Sequence, residues 1–144
     1  MPFQKALVLA YGLPESHTFK EAWLFRLVLD NGWIVDFSSI CTGVGGWQEI
    51  GSLKLGFTRE QTNVDTLRWQ MKPWAEFRVE SVERLIYEDA DVYTECGIAL
   101  KDPAHGEIVI ASGTAPGSVS IAAPFSSDAF EPEPPLDRLQ RRAA

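Results

Sequence analysis

Histidine and cysteine are scarce in this chain: 144 residues contain two of each. The cysteines, Cys41 and Cys96, have no Cys-x-x-Cys spacing and lie in unlike contexts, so no disulfide framework is expected. Neither His17 nor His105 has a His, Cys or carboxylate partner at metal-ligand spacing, and no metal or cofactor is expected. Basic residues are also in deficit, with 13 Lys and Arg against 20 Asp and Glu, a formal charge of −7. A phosphate backbone needs a basic stripe to release counterions, so composition argues against nucleic acid as a partner. No run of about 18 apolar residues could span a bilayer. The start, MPFQKALVLAYG, has too short an apolar run for a signal peptide. Cytoplasmic residence without a membrane partner is the expectation.

What the chain does contain is alternation. In residues 93–125, Cys96, Ile98 and Leu100 share one face of a strand, Ile108 and Ile110 one face of a second, and Val119 and Ile121 one face of a third. Asp102-Pro103-Ala104-His105-Gly106 and Gly113-Thr114-Ala115-Pro116-Gly117 supply the turns. Residues 22–30 and 33–39 read as a hairpin across Asn31-Gly32; a two-residue turn would set Val28 opposite Val35 and Leu29 opposite Ile34. Both faces of that hairpin are apolar, which places it inside the sheet system.

Other segments are less definite. Residues 3–11 support two readings, a helix closed by Gly12 or a strand on Lys5, Leu7 and Leu9. The cluster Thr42-Gly43-Val44-Gly45-Gly46 has no following helix or lysine of a phosphate loop and reads as a connection into a strand over 49–57. Between 58 and 74 a short helix and a strand compete, and Pro73 is expected to end either. Residues 77–87 alternate apolar and charged; the spacing of Val79, Val82 and Leu85/Ile86 also suits a helix, yet Phe-Arg-Val-Glu-Ser-Val is β-prone. Beyond Phe125 the composition changes: residues 126–144 read as a Pro/Glu-rich tail, with one or two helical turns in LDRLQRRAA.

The halves 3–57 and 76–125 resemble one another at one offset, with Val8 on Val82, Ile34 on Ile108 and Val35 on Val109. The expected fold is mainly β, a single domain over 1–125 in which antiparallel meanders form a sandwich or open barrel with an internal two-fold repeat and little helix.

Eight acids lie between Glu80 and Glu107 against only Arg84 and Lys101. A charge run of this kind is ordinarily a solvated face; its functional reading is a surface that meets a basic protein, with Glu88, Asp89, Asp91 and Glu95 pairing with Lys or Arg and with Tyr87 and Tyr93 supplying contact area. Glu88-Asp89-Ala90-Asp91 lacks the glycine and terminal Glu of a calcium loop. Cys96 beside Glu95 is a poor nucleophile. No catalytic residue is expected.

The second half also resembles small uncharacterised bacterial proteins of the kind that act as immunity partners of secreted toxins. The likeness rests on Phe77-x-Val79-x-x-Val82, Gly97-Ile98-x-Leu100, Gly106-Glu107-Ile108-x-Ile110, Ala115-Pro116-x-Ser118-x-Ser120-Ile121 and Phe130-x-Pro132-Glu133. It transfers no functional residue; it implies a binding protein, here an inhibitor of a basic toxin or enzyme. Two other classes compete. One is a small ligand-binding or hydrolytic domain with a pocket between sheets, lined by Trp23, Trp33, Trp47 or Trp69 and favoured if that pocket holds His17, His105 or Cys41. The other is a structural subunit of a larger assembly.

Overall fold

The computed structural model describes residues 3–19, 22–44, 48–59, 68–88, 93–114, 117–126, 130, 132 and 139–143; for residues 41–44 and 48–51 the backbone alone is described. Among these residues ten strands are present: β1 (Leu7–Pro14), β2 (Phe25–Leu29), β3 (Trp33–Val44), β4 (Gln48–Arg59), β5 (Trp69–Arg78), β6 (Ser81–Glu88), β7 (Tyr93–Asp102), β8 (Gly106–Ser112), β9 (Val119–Ala122) and β10 (Gln140–Ala143). They form two antiparallel five-stranded sheets, ordered β4-β3-β2-β1-β5 and β10-β6-β7-β8-β9. The fold is all-β, and the sheets face each other as a sandwich and do not close into a barrel.

Alternation explains the core. Phe25, Leu27, Leu29, Val35 and Phe37 from the first sheet meet Ile98, Leu100, Ile108, Ile110, Val119 and Ile121 from the second in one buried cluster. Residues 7–14 resolve to strand, because Val8, Tyr11 and Leu13 then point into that cluster. The β2–β3 hairpin is interior, as its two apolar faces require.

The hairpin register is one residue away from a two-residue turn: Leu27 opposes Val35 and Val28 opposes Ile34. Gly32 N–H donates to Leu29 O at 3.3 Å and Gly32 has φ +86°, so the loop has three residues, a turn closed by a left-handed glycine. This places Leu27 and Val35 together inside. The internal repeat shifts with it. Inner pairs Phe25/Phe37 and Leu27/Val35 correspond to Ile98/Ile110 and Leu100/Ile108, so Val35 matches Ile108 and not Val109, which lies on the opposite face. A one-residue slip reverses every side chain, and burial identifies the true equivalence. Each half also gains a fifth strand on the same edge, β5 beside β1 and β10 beside β6.

One further expectation is corrected and one open choice is settled. Pro73 does not end a segment: β5 runs through it as an edge strand, where a missing N–H breaks no ladder. The bulge there absorbs the ring, since Val8 pairs Phe77 and Ala10 pairs Pro73 while Ala75 takes φ +53°. Residues 77–87 take the β reading and not the helical one, as the end of β5 and most of β6. The chain steps from one sheet to the other at Val79-Glu80, where Val79 N–H donates to Ala6 O and Val79 O accepts from Lys5 N–H, both at 2.9 Å.

β1 and β5 approach closely at Gly12. A Cβ there would lie 2.3 Å from Met71 Sδ and 2.5 Å from Gln70 O. Met71 can swing aside, but a backbone carbonyl cannot without unpairing the strands. Gly12→Ala is therefore expected to cost about 2 kcal/mol, read as a lower urea midpoint with an unchanged slope. An unchanged midpoint would show that β5 shifts freely.

Candidate functional site

The outer face of the second sheet is apolar at its centre and charged at its rim. Leu85, Ala99 and Val109 form a small cluster there, and Phe130 and Leu139 pack over it. The C-terminal segment is thus a strap and not a loose end: Gly113 bridges Pro132, and Gln140–Ala143 pairs antiparallel with β6, Arg141 opposite Leu85 and Ala143 opposite Glu83. Residues 140–143 form a strand where the sequence reading has helical turns. Leu139 and Arg141, two apart, then share the face that carries Leu85.

Arg141 grips Glu107 with two hydrogen bonds, Nη1 to Oε2 at 2.9 Å and Nη2 to Oε1 at 3.1 Å, and its Nη1 stands 3.6 Å from Glu83 Oε1. Lys101 Nζ reaches the same Glu83 oxygen at 3.0 Å. The hydrogen bond from Arg141 holds the Glu107 carboxyl below its ordinary range, and the same pairing raises Arg141. Arg142 stands 3.6 Å from Glu88, and Arg84 Nη1 donates to Glu95 Oε1.

Of the residues expected to form a binding face, Glu88 and Tyr93 are register partners at the β6–β7 end, as are Tyr87 and Thr94. Tyr93 is 54% exposed. Asp89 and Asp91 lie outside the described residues. Glu88 and Glu95 each meet an arginine of the same chain. Sequence reasoning missed Glu83, Glu107, Arg141 and Arg142 as a group; the available signal was a pair of adjacent arginines at the end of an acidic chain.

Both histidines have structural partners. His105 Nδ1 lies 2.8 Å from Asp102 Oδ2, but that carboxylate is already bound by backbone, accepting from Arg78 N–H at 2.9 Å and from Ala104 N–H at 3.0 Å. The Arg78 bond is the main cause holding Asp102 below its ordinary range, against the opposing effect of burial. Among the described residues no hydroxyl or thiol is bonded to His105, so the pair has no nucleophile to activate. His17 Nε2 accepts from the Trp23 indole N–H at 2.7 Å. Cys96 is buried and reduced, its thiol 3.6 Å from Leu85 O. The Cys41 side chain lies outside the described residues.

A cavity of about 310 Å³ opens at the end of the sandwich between β1, β5 and the segment after β9. Its apolar wall is Tyr11, Leu13, Phe19 and Phe125, with Tyr11 and Phe125 stacked at 3.7 Å. Burial raises the Tyr11 phenol above its ordinary range, which keeps it protonated. Of the tryptophans expected to line a pocket, Trp69 lies under the Arg26 guanidinium at 3.9 Å, Trp33 lies under that of Arg59 at 4.0 Å, Trp23 donates to His17 and Trp47 is outside the described residues; His17, one of the three residues that favour the ligand-pocket reading, does line the cavity.

Among the described residues no group of His, Cys, Asp and Glu could hold a metal ion, and no helix is long and apolar enough to cross a membrane. No family model, curated protein or solved structure matches the chain.

Proposed function

We propose that this protein is a cytoplasmic binding module of the immunity-inhibitor type, whose outer second-sheet face takes a basic segment of a bacterial toxin or enzyme. The observation that carries the reading is the occupant this face already has. On this face Leu139 covers Leu85, Ala99 and Val109 and Arg141 meets Glu107 and Glu83, while Arg142, opposite Arg84 and so turned to the other side of the strand, meets Glu88 at the sheet edge. A surface that binds an apolar residue and, two positions on, an arginine in cis has the chemistry to bind the same pattern in trans. The strap is also suited to exchange, because residues 140–143 are exposed throughout and form only four residues of strand. A partner strand laid along β6 would keep the backbone ladder and replace the two arginines.

The experiment uses the full chain and its own strap sequence. A labelled peptide of residues 136–144 is titrated into wild-type protein and into the Arg141→Glu/Arg142→Glu variant, whose strap is repelled by Glu83, Glu88 and Glu107. The variant is expected to bind the peptide at least about tenfold more tightly than wild type, with an affinity that falls as salt rises. Absence of saturable binding to the variant, with its fold intact by circular dichroism, would remove this face from consideration. A toxin gene directly upstream of the coding sequence is expected to name the partner.

A further inference from the structure

The aromatic cavity at the open end of the sandwich is independent of the outer face, and its lining differs in charge from the rest of the molecule. The β1–β2 connection builds its rim. Ala22 N–H donates to Val119 O at 3.1 Å and Val119 N–H to Ala22 O at 2.6 Å, so this connection, rooted in the first sheet, is hydrogen-bonded to β9 of the second. Ile121 N–H donates to Phe19 O at 2.9 Å. These bonds hold Phe19 against Phe125 with ring centroids 5.2 Å apart, while Trp74 meets Phe125 edge-on at 5.1 Å. The result is a wall of flat rings held from both sheets, a surface that favours a flat apolar body.

The polar part of the lining is Thr18, His17, Gln70, Lys72 and Ser126, and among the described residues it includes no carboxylate. That is unusual on a chain with a formal charge of −7. Lys72 is exposed, and among the described residues it has no ion-pair partner. His17 is already engaged: its Nε2 accepts the Trp23 N–H, and its Nδ1 is buried with no surface open to solvent, so the cation facing the cavity is Lys72.

We infer that this cavity binds a small planar carboxylic acid, its ring system against Tyr11, Phe19 and Phe125 and its carboxylate toward Lys72. A volume of about 310 Å³ suits a body of roughly two fused rings, at the small end of ligand pockets.

The test is a charge series of one shape: naphthoate, the neutral naphthamide and the cationic naphthylmethylamine, each titrated into the full chain and followed by amide shifts in two-dimensional NMR. Naphthoate is expected to bind at least about tenfold more tightly than the amine, with shifts centred on Leu13, Thr18, Gln70, Lys72 and Ser126. Lys72→Ala, at an exposed position, is expected to weaken naphthoate about three- to tenfold and remove the charge preference, and Lys72→Arg to restore it. Equal affinity across the series, no saturable shift by about 5 mM, or an unaltered preference in Lys72→Ala would overturn the assignment. Shifts confined to the outer face of the second sheet would do the same.

Discussion

Asp102→Ala is expected to lower the unfolding free energy by about 3 kcal/mol and to flatten the acid limb of the stability profile. Asp102 closes β7 and is 6% exposed. Its carboxylate binds the Arg78 and Ala104 N–H groups and the His105 ring, so one side chain joins the β7–β8 turn of the second sheet to the last residue of β5 in the first. Beside it, Glu80 N–H donates to Lys101 O at 2.8 Å, at the point where the chain crosses between sheets. Alanine would leave two backbone donors without a partner at the corner that sets how the layers meet. Asp102→Asn retains the volume but turns an NH₂ group toward existing donors, and a similar loss is expected. His105→Ala removes one bond from a ring that is 41% exposed and should cost less than about 1 kcal/mol.

The pH dependence follows from the direction of the shift. The folded state holds Asp102 below its ordinary value, so in the acid range the unfolded chain binds the extra proton. The contribution is complete above the unfolded pKa of about 4 and is lost as pH falls through the lower folded value. Glu107 is lowered in the same direction by Arg141, so the strap weakens over the same acid range. Urea midpoints between about pH 2 and 6 check both: wild type should fall steeply below about pH 4 and Asp102→Ala should fall less. Parallel acid limbs would show that Asp102 does not carry the dependence.

Asp36→Ala is the second large effect, expected at about 3 kcal/mol. Arg26 and Asp36 are register partners on β2 and β3 and form a two-point pair, Nε to Oδ1 at 2.7 Å and Nη2 to Oδ2 at 2.8 Å. The Arg26 side chain is 10% exposed, and Trp69 from β5 stacks on the guanidinium. Loss of Asp36 would leave a desolvated cation without its carboxylate. The double variant Arg26→Met/Asp36→Leu is expected to lie within about 1 kcal/mol of wild type, because matched apolar residues under Trp69 avoid the desolvation that the ion pair must offset. A cost below about 1 kcal/mol for Asp36→Ala alone would mean that Trp69 and water sustain Arg26 without it.

Most of the strands were legible because half-buried strands alternate, and Leu27, Val35, Ile98, Leu100, Ile108 and Ile110 alternate cleanly. The β2–β3 register was not, because Asn31-Gly32 suits both a two-residue and a three-residue loop, and Gly32 serves as the left-handed residue in either. Pro73 misled because a proline breaks only a ladder that needs its N–H, and whether β5 lies at an edge is a property of the whole sheet. Of the charged groups on the proposed binding face, only part is legible in the sequence. Glu88 and Glu95 were found from local charge density, whereas Arg141 and Arg142 reach Glu107 and Glu88 from distant sequence positions.

By itself the sequence determined that the segments within 22–39 and 93–125 extend, which residues of those strands are apolar, and that the chain carries excess negative charge, since these follow from the period of two and from composition. Only the tertiary structure decided that two meanders stack, that residues 140–143 return as a strand carrying two arginines beside an acidic rim, and that aromatic rings from both sheets line a cavity with Lys72 at its edge. The reason is range: alternation acts between neighbours in the chain, whereas sheet edges, layer crossings and charge pairing depend on contacts between residues far apart in it.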